Sequence, residues 1–252
     1  MKRNLVVLTC VFVFGGFLVQ AGEMPGVATC DIDVAYEGEG QGIAAQADVT
    51  FVEGSIVPQY LTFYLHGELR VEEVRFDGKP VEVVQDSVFY TSDYSLVARR
   101  SRIEMSGRQL PKRLSIRYSG KFNPSGARSP SDYMRVDSEG IFLRSYGYSV
   151  WFPVFLGARE EGEPVDFNLT VRTPEGLVAV AAGERVSETV EDGVRTSRWR
   201  SLQEDVFNLQ LTARPFELLV EGGFHIYHLR DAASRATAAQ ILEFSARLEE
   251  FF

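Results

Sequence analysis

Three histidines, two cysteines and a scatter of carboxylates are what this chain offers to acid–base, nucleophilic or metal chemistry. His225 and His228 have a metal-like spacing. The run from Phe224 to Leu229 reads as a strand, however, and residues three apart on a strand face opposite sides. They would not share one ion, so they read as exposed or hydrogen-bonded histidines. The third, His66, stands far from them in sequence. No H-E-x-x-H occurs, so the helical two-histidine zinc motif is absent from the sequence. A serine nucleophile needs a sharp G-x-S-x-G elbow. Gly147-Tyr148-Ser149-Val150-Trp151 comes nearest and lacks the second glycine. Cys30 has no histidine beside it in sequence and reads as an incidental thiol.

Other candidate sites fail on context. Gly38-Glu39-Gly40-Gln41-Gly42 is glycine-rich but leads into a strand, whereas a phosphate cradle needs a helix start. The pairs Glu72-Glu73 and Glu160-Glu161 read as solvated, and so does the basic cluster Arg99, Arg100 and Arg102. Asn168-Leu169-Thr170 is a glycosylation sequon lying in a strand. The aromatic run with Tyr146, Tyr148, Trp151, Phe152 and Phe155 has two readings. It is a ligand platform or, more simply, packed core.

The elements that would position these groups are mostly strands. Ile32, Val34 and Tyr36 alternate with acidic and small residues. Ile43, Ala45, Ala47, Val49 and Phe51 do the same, against Gln46, Asp48 and Thr50. Leu61 to Leu65, Val74 to Phe76, Val81 to Val83, Leu114 to Tyr118, Phe167 to Val171, Val178 to Val180, Phe207 to Leu211 and Phe224 to Leu229 continue the pattern. Asp77-Gly78 and Asp192-Gly193 sit between apolar runs and predict hairpins, because glycine tolerates the positive φ of the turn. Residues 121–138 read as a long loop and 157–164 as a charged turn. The fold class expected is all-β, an antiparallel sandwich or saddle-like domain with one C-terminal amphipathic helix.

That helix is predicted from Asp231, as N-cap, to Phe252. Ile241, Leu242, Ser245, Leu248, Phe251 and Phe252 are read as one apolar face. The face ends without a glycine stop or polar tail, so a further domain is expected to cover it.

Composition narrows the partners. Hydrophobic residues at 45% and charged residues at 24% are ordinary globular values, so disorder is not expected over most of the chain. Lys2 and Arg3 precede an apolar run from Leu5 to Val19, and Val19-Gln20-Ala21 offers a cleavage site. The 15-residue run is short for a span of about 20 residues. It predicts a signal peptide over 1–21 and export to a periplasmic, extracellular or cell-envelope location. An uncleaved anchor is the other reading. Without it the chain has 24 basic and 35 acidic residues, a net charge of −11, which argues against nucleic acid or an anionic membrane surface as partner. Cleavage also removes Cys10 and leaves Cys30 without a disulfide partner.

Taken in order, the motifs resemble the N-terminal domain of the aminopeptidase N family of zinc metallopeptidases, the gluzincins. Leu114 to Gly120 is similar to that domain's L-x-I-x-Y-x-G strand. Gly140 to Leu143 follows, and Trp151-Phe152-Pro153 resembles its W-Y-P segment. Phe167 to Val171 with Thr173-Pro174, then Ala182-Gly183, the Asp192-Gly193 hairpin, Arg195-Thr196 and Trp199, fall in family order.

The resemblance implies a saddle-shaped, non-catalytic β domain over 30–222, after a flexible leader at 22–29. A connecting strand and the first helix of a helical, catalytic domain would occupy 223–252. It implies that zinc, the catalytic ligands and the G-x-M-E-N loop belong to that other domain, with no cofactor in this chain. The implied partners are the catalytic domain and the parent protein's peptide substrate. The Ile141–Trp151 stretch, with Arg144, Tyr146, Tyr148 and Trp151, would wall one side of the substrate groove. Where many of those aminopeptidases carry T-Q-x-E before F-P, this chain has Ile141-Phe142-Leu143-Arg144, so the amine-binding role does not transfer. The competing expectation is a self-contained secreted β-sandwich that binds peptide or carbohydrate on its aromatic stretch.

Overall fold

The computed structural model describes residues 24–38, 42–90, 97–122, 134–145, 149–155, 164–205, 208–221 and 224–249. The expected signal peptide, most of the 121–138 loop, nearly all of the 157–164 turn, Tyr146, Tyr148, Phe207, Phe251 and Phe252 lie outside these residues.

Along the chain run β1 (Val27–Tyr36), β2 (Ile43–Phe51), β3 (Tyr60–His66) and β4 (Leu69–Phe76). The short strands β5 (Lys79–Pro80), β6 (Val84–Gln85) and β7 (Phe89–Tyr90) precede β8 (Val97–Glu104) and β9 (Leu114–Gly120). Next come β10 (Met134–Asp137), β11 (Gly140–Arg144), β12 (Val165–Pro174), β13 (Val178–Ala181), β14 (Glu184–Glu191) and β15 (Val194–Glu204). The chain continues through β16 (Gln210–Arg214), β17 (Phe216–Glu221) and β18 (Phe224–Leu229) to the helix α1 (Ala232–Glu249). The all-β class with one helix near the C-terminus is the observed one.

An eight-stranded sheet carries the order β14-β15-β12-β1-β2-β9-β4-β5. Its pairs are antiparallel except β1 with β12, which run parallel. The register lines up Val74, Ile116, Ala47, Ile32, Leu169 and Trp199 as one row across six strands, and all six are buried. A row on the opposite face reads Glu73, Arg117, Gln46, Asp33, Thr170 and Arg198, with water on that side. One apolar face and one polar face are what period-two alternation produces.

Two four-stranded sheets complete the sandwich. One has the order β10-β11-β16-β13, and the other has β3-β8-β6 with β7 also on β8. β8, with Arg99, Arg100 and Arg102, is a strand that the alternation analysis did not single out. Its Arg100 and Arg102 both bind the Asp86 carboxylate, at 2.6 and 2.8 Å. Burial works to raise the pKa of Asp86, but the hydrogen bonds from Arg100 and Arg102 outweigh it and hold the carboxyl below its usual range.

Both predicted hairpin turns form. Asp77 and Gly78 have φ of 48° and 82°, and Asp192 and Gly193 have 51° and 76°. The strand after the first turn is shorter than expected. Pro80 has no N–H to donate to the ladder, the Val81 N–H still donates to the Val74 carbonyl at 2.9 Å, and residues 82–83 leave the sheet.

Asp231 caps α1 as expected. The Ser234 backbone N–H donates to its carboxylate at 2.8 Å and the Ser234 hydroxyl at 2.6 Å. The apolar face differs from the expectation. Ala238 and Leu242 are buried, whereas Ile241 is 48% exposed and Phe244 63% exposed. The helix packs on the two-stranded β17–β18 sheet. Ala238 and Leu242 share one stripe of the helix, and Ile241 and Phe244 lie about 100° round the axis. Two strands give that second stripe nothing to pack on.

Candidate functional site

The groove-wall stretch begins on β11. Gly140 has φ of 136°, and a Cβ there would sit 1.9 Å from the Ala213 carbonyl oxygen. Glycine therefore lets β11 lie against β16 at this point. Ile141 and Leu143 point into the core, and the alternation turns Phe142 and Arg144 to the other face.

On that face the register aligns Arg135, Phe142, Thr212 and Val180 across β10, β11, β16 and β13, all half-buried. Arg144 is exposed and stands opposite Gln210. Charged pairs border the row. Arg135 reaches Asp137 at 2.5 Å and Glu139 at 3.1 Å, and Arg214 reaches Glu139 at 2.5 Å. The face offers apolar contact from Phe142 and Val180, and hydrogen-bonding groups from Arg144, Gln210 and Thr212. It suits binding. It pairs no nucleophile with a base.

Gln210, Thr212 and Val180 lie outside the expected wall stretch, and Phe142, though within it, was not singled out. Alternation within β11 does put Phe142 beside Arg144. Gln210 and Thr212 come from about seventy residues away, and only the sheet pairing brings them alongside.

Trp151 is elsewhere. It is fully buried, and its indole N–H donates to the Leu209 carbonyl at 3.0 Å. Its ring meets Phe152 edge-on at 5.1 Å, and Phe152 meets Phe167 at 5.4 Å. Of the two readings of the aromatic run, the core reading describes Trp151. Residues around it tie sheets together: the His66 N–H donates to Val150 O at 2.7 Å, and Tyr64 and Val154 exchange backbone hydrogen bonds. Tyr146 and Tyr148 lie outside the described residues, so Arg144 is the one expected wall residue seen on an exposed surface.

The remaining reactive groups are dispersed. His66 is 2% exposed, accepts the Glu68 N–H on Nδ1 at 3.2 Å and lies 5.0 Å from the Phe122 ring. Burial pushes its pKa down to about 4, so the ring is neutral at neutral pH. His225 is exposed and His228 buried, on opposite faces of β18 as the alternation requires. Burial pushes the Cys30 thiol up, with Asp31 and Asp48 adding to the shift. A thiol so held is a poor nucleophile. Among the described residues no three of His, Cys, Asp and Glu are grouped to hold a metal ion.

No protein-family profile and no curated protein matches this chain. Solved structures do. An M1 zinc metallopeptidase from Deinococcus radiodurans superposes with a TM-score of 0.58 at 19% identity, covering 81% of this chain and 46% of that one. This is a fold found in an M1 zinc metallopeptidase. A mutant of that peptidase bound to a Tyr-Ser-Ala substrate gives 0.57 at 19% identity, over 80% of this chain and 46% of that chain. Another mutant structure gives 0.58 at 18%, with the same coverage. The fold is the one the sequence resemblance implied, and this chain spans about half the length of the structures it matches.

Proposed function

We propose that this chain is the non-catalytic β domain of an exported zinc metallopeptidase-like protein, packing on a catalytic domain and walling its substrate groove. The observation that carries this reading is the shared fold over 80% of the chain with M1 zinc metallopeptidase structures of about twice its span. The outer face of the β10-β11-β16-β13 sheet supplies the wall, with Phe142, Arg144, Gln210 and Thr212 as its contact residues. An extended peptide presents alternating apolar and hydrogen-bonding groups, which that face complements.

The contact surface for the catalytic domain is the uncovered side of the β17–β18 sheet and α1. Val220 and Leu229 are exposed on the face of β17–β18 away from the helix, and Ile241 and Phe244 are exposed on the helix itself. Exposed apolar side chains at such an end mark interaction surfaces. Zinc would belong to the catalytic domain, where it would polarise the scissile carbonyl and activate water. The residues of this chain would orient the peptide and exclude solvent from one side. Export follows from the basic, apolar and small-residue regions of 1–21.

Pure chain assayed for metal and for turnover of aminoacyl chromogenic substrates tests the non-catalytic role. No bound zinc and no turnover are expected. Stoichiometric zinc or measurable hydrolysis would overturn it. Reading the coding DNA beyond codon 252 tests the parent. An open frame carrying H-E-x-x-H is expected roughly 40–100 residues on.

A further inference from the structure

A second surface is built from groups that neither the wall nor the domain contact uses. A cleft of about 710 Å³ opens between β4, β9 and the turn joining β3 to β4. Its size is that of a small-molecule site. Arg70, Arg99 and Lys121 line it. Arg99 donates from Nη1 to the Asp86 carbonyl at 3.1 Å and from Nη2 to the Gly67 carbonyl at 3.0 Å. Its Nε is buried with no hydrogen-bond partner. Two main-chain carbonyls thus fix the guanidinium, and no carboxylate among the described residues neutralises it.

Arg70 and Lys121 are exposed and likewise have no carboxylate partner among the described residues. Arg75, Arg113, Arg135, Arg172 and Arg214, by contrast, each pair with a carboxylate. Two acids also line the cleft. The Glu72 carboxylate is taken up by Arg117 Nε at 3.1 Å and the Ser119 hydroxyl at 2.6 Å, and Glu68 has an interaction of its own. Three cations therefore converge with no acid assigned to them.

We propose that this cleft binds a small ligand bearing an oxyanion, a carboxylate or a phosphate group, with Arg70, Arg99 and Lys121 as its donors. Guanidinium groups recognise planar and tetrahedral oxyanions through paired N–H donors, and an ammonium adds a movable charge. Arg99 is the pre-oriented member, because its side chain is already fixed. Arg70 and Lys121 close on the ligand from the rim. The inference does not rest on the peptidase reading.

Calorimetric titration of the full chain tests it, with inorganic phosphate in one arm and N-acetylglycylglycine in the other. The amidated dipeptide serves as the uncharged control. Saturable binding is expected in at least one arm and none with the amide, and the tighter arm identifies the oxyanion. Arg70→Glu with Lys121→Glu should weaken it about ten-fold or more. Both side chains are exposed, so the double variant should retain the parent circular-dichroism spectrum. Lys79→Glu, on β5 beside the far end of β4, should leave the affinity unchanged. No saturation in either arm, equal binding by the double variant, or an equal loss with Lys79→Glu would each overturn the proposal.

Discussion

At the residue scale, burial decides what each reactive-looking group does. His66 has the chemistry of a general base, yet burial lowers its pKa to about 4 and leaves it a weak base out of reach of solvent. The linkage has a definite sign. The unfolded histidine binds a proton near pH 6.5, while the folded one waits until about pH 4. Its contribution to stability is complete above pH 6.5 and is lost as pH falls towards 4. Over that window the loss from this one group is about 3 kcal/mol. Urea unfolding at pH 7 and pH 4.5 should show the fall, and His66→Asn should flatten that part of the profile. Trp151 makes the same point for binding. An aromatic residue that could read as ligand platform or as core lies in the core. Trp151→Ala should cost about 3–5 kcal/mol, measured by urea unfolding of parent and variant.

At the element scale, termini and crossings carry the specificity. The carboxylate of Asp231 holds the first turn of α1, and Asp231→Ala should destabilise the helix by about 1 kcal/mol. The readout is hydrogen exchange of the first-turn amides, because the helix touches mainly β17 and β18. Gly140 has the stricter requirement. A methyl group there meets the Ala213 carbonyl oxygen, so β11 and β16 must separate. Gly140→Ala should cost on the order of 3 kcal/mol in urea unfolding and disturb the face that carries Phe142 and Arg144. Local pattern predicted a strand over Phe207–Leu211, which overlaps β16, and did not single out β11. It could not pair them, because nothing within five residues of Gly140 names Ala213 as its neighbour.

At the scale of the whole molecule, two surfaces have different characters. The outer face of the eight-stranded sheet is charged and bridged by ion pairs such as Arg113 with Asp48 and Arg172 with Asp33. The β17–β18 and α1 end is apolar and uncovered. Replacing Ile241 and Phe244 by serine should change unfolding stability by less than about 0.5 kcal/mol, since neither is buried. The same double variant should reduce self-association of the isolated chain, read by light scattering. A large stability loss would show that this face is packed within the chain and would count against a partner domain.

The sequence by itself determined the strands with clean alternation, both Asp-Gly turns, the Asp231 cap and the all-β class. Each of these depends on residues close in the chain, where side-chain periodicity and backbone φ act directly. The tertiary structure decided the rest. It set the parallel pairing of β1 with β12, the burial of Trp151, the split face of α1 and the gathering of Arg70, Arg99 and Lys121 around one cleft. Those depend on strands far apart in sequence, whose pairing is fixed by how the whole apolar surface can be covered at once.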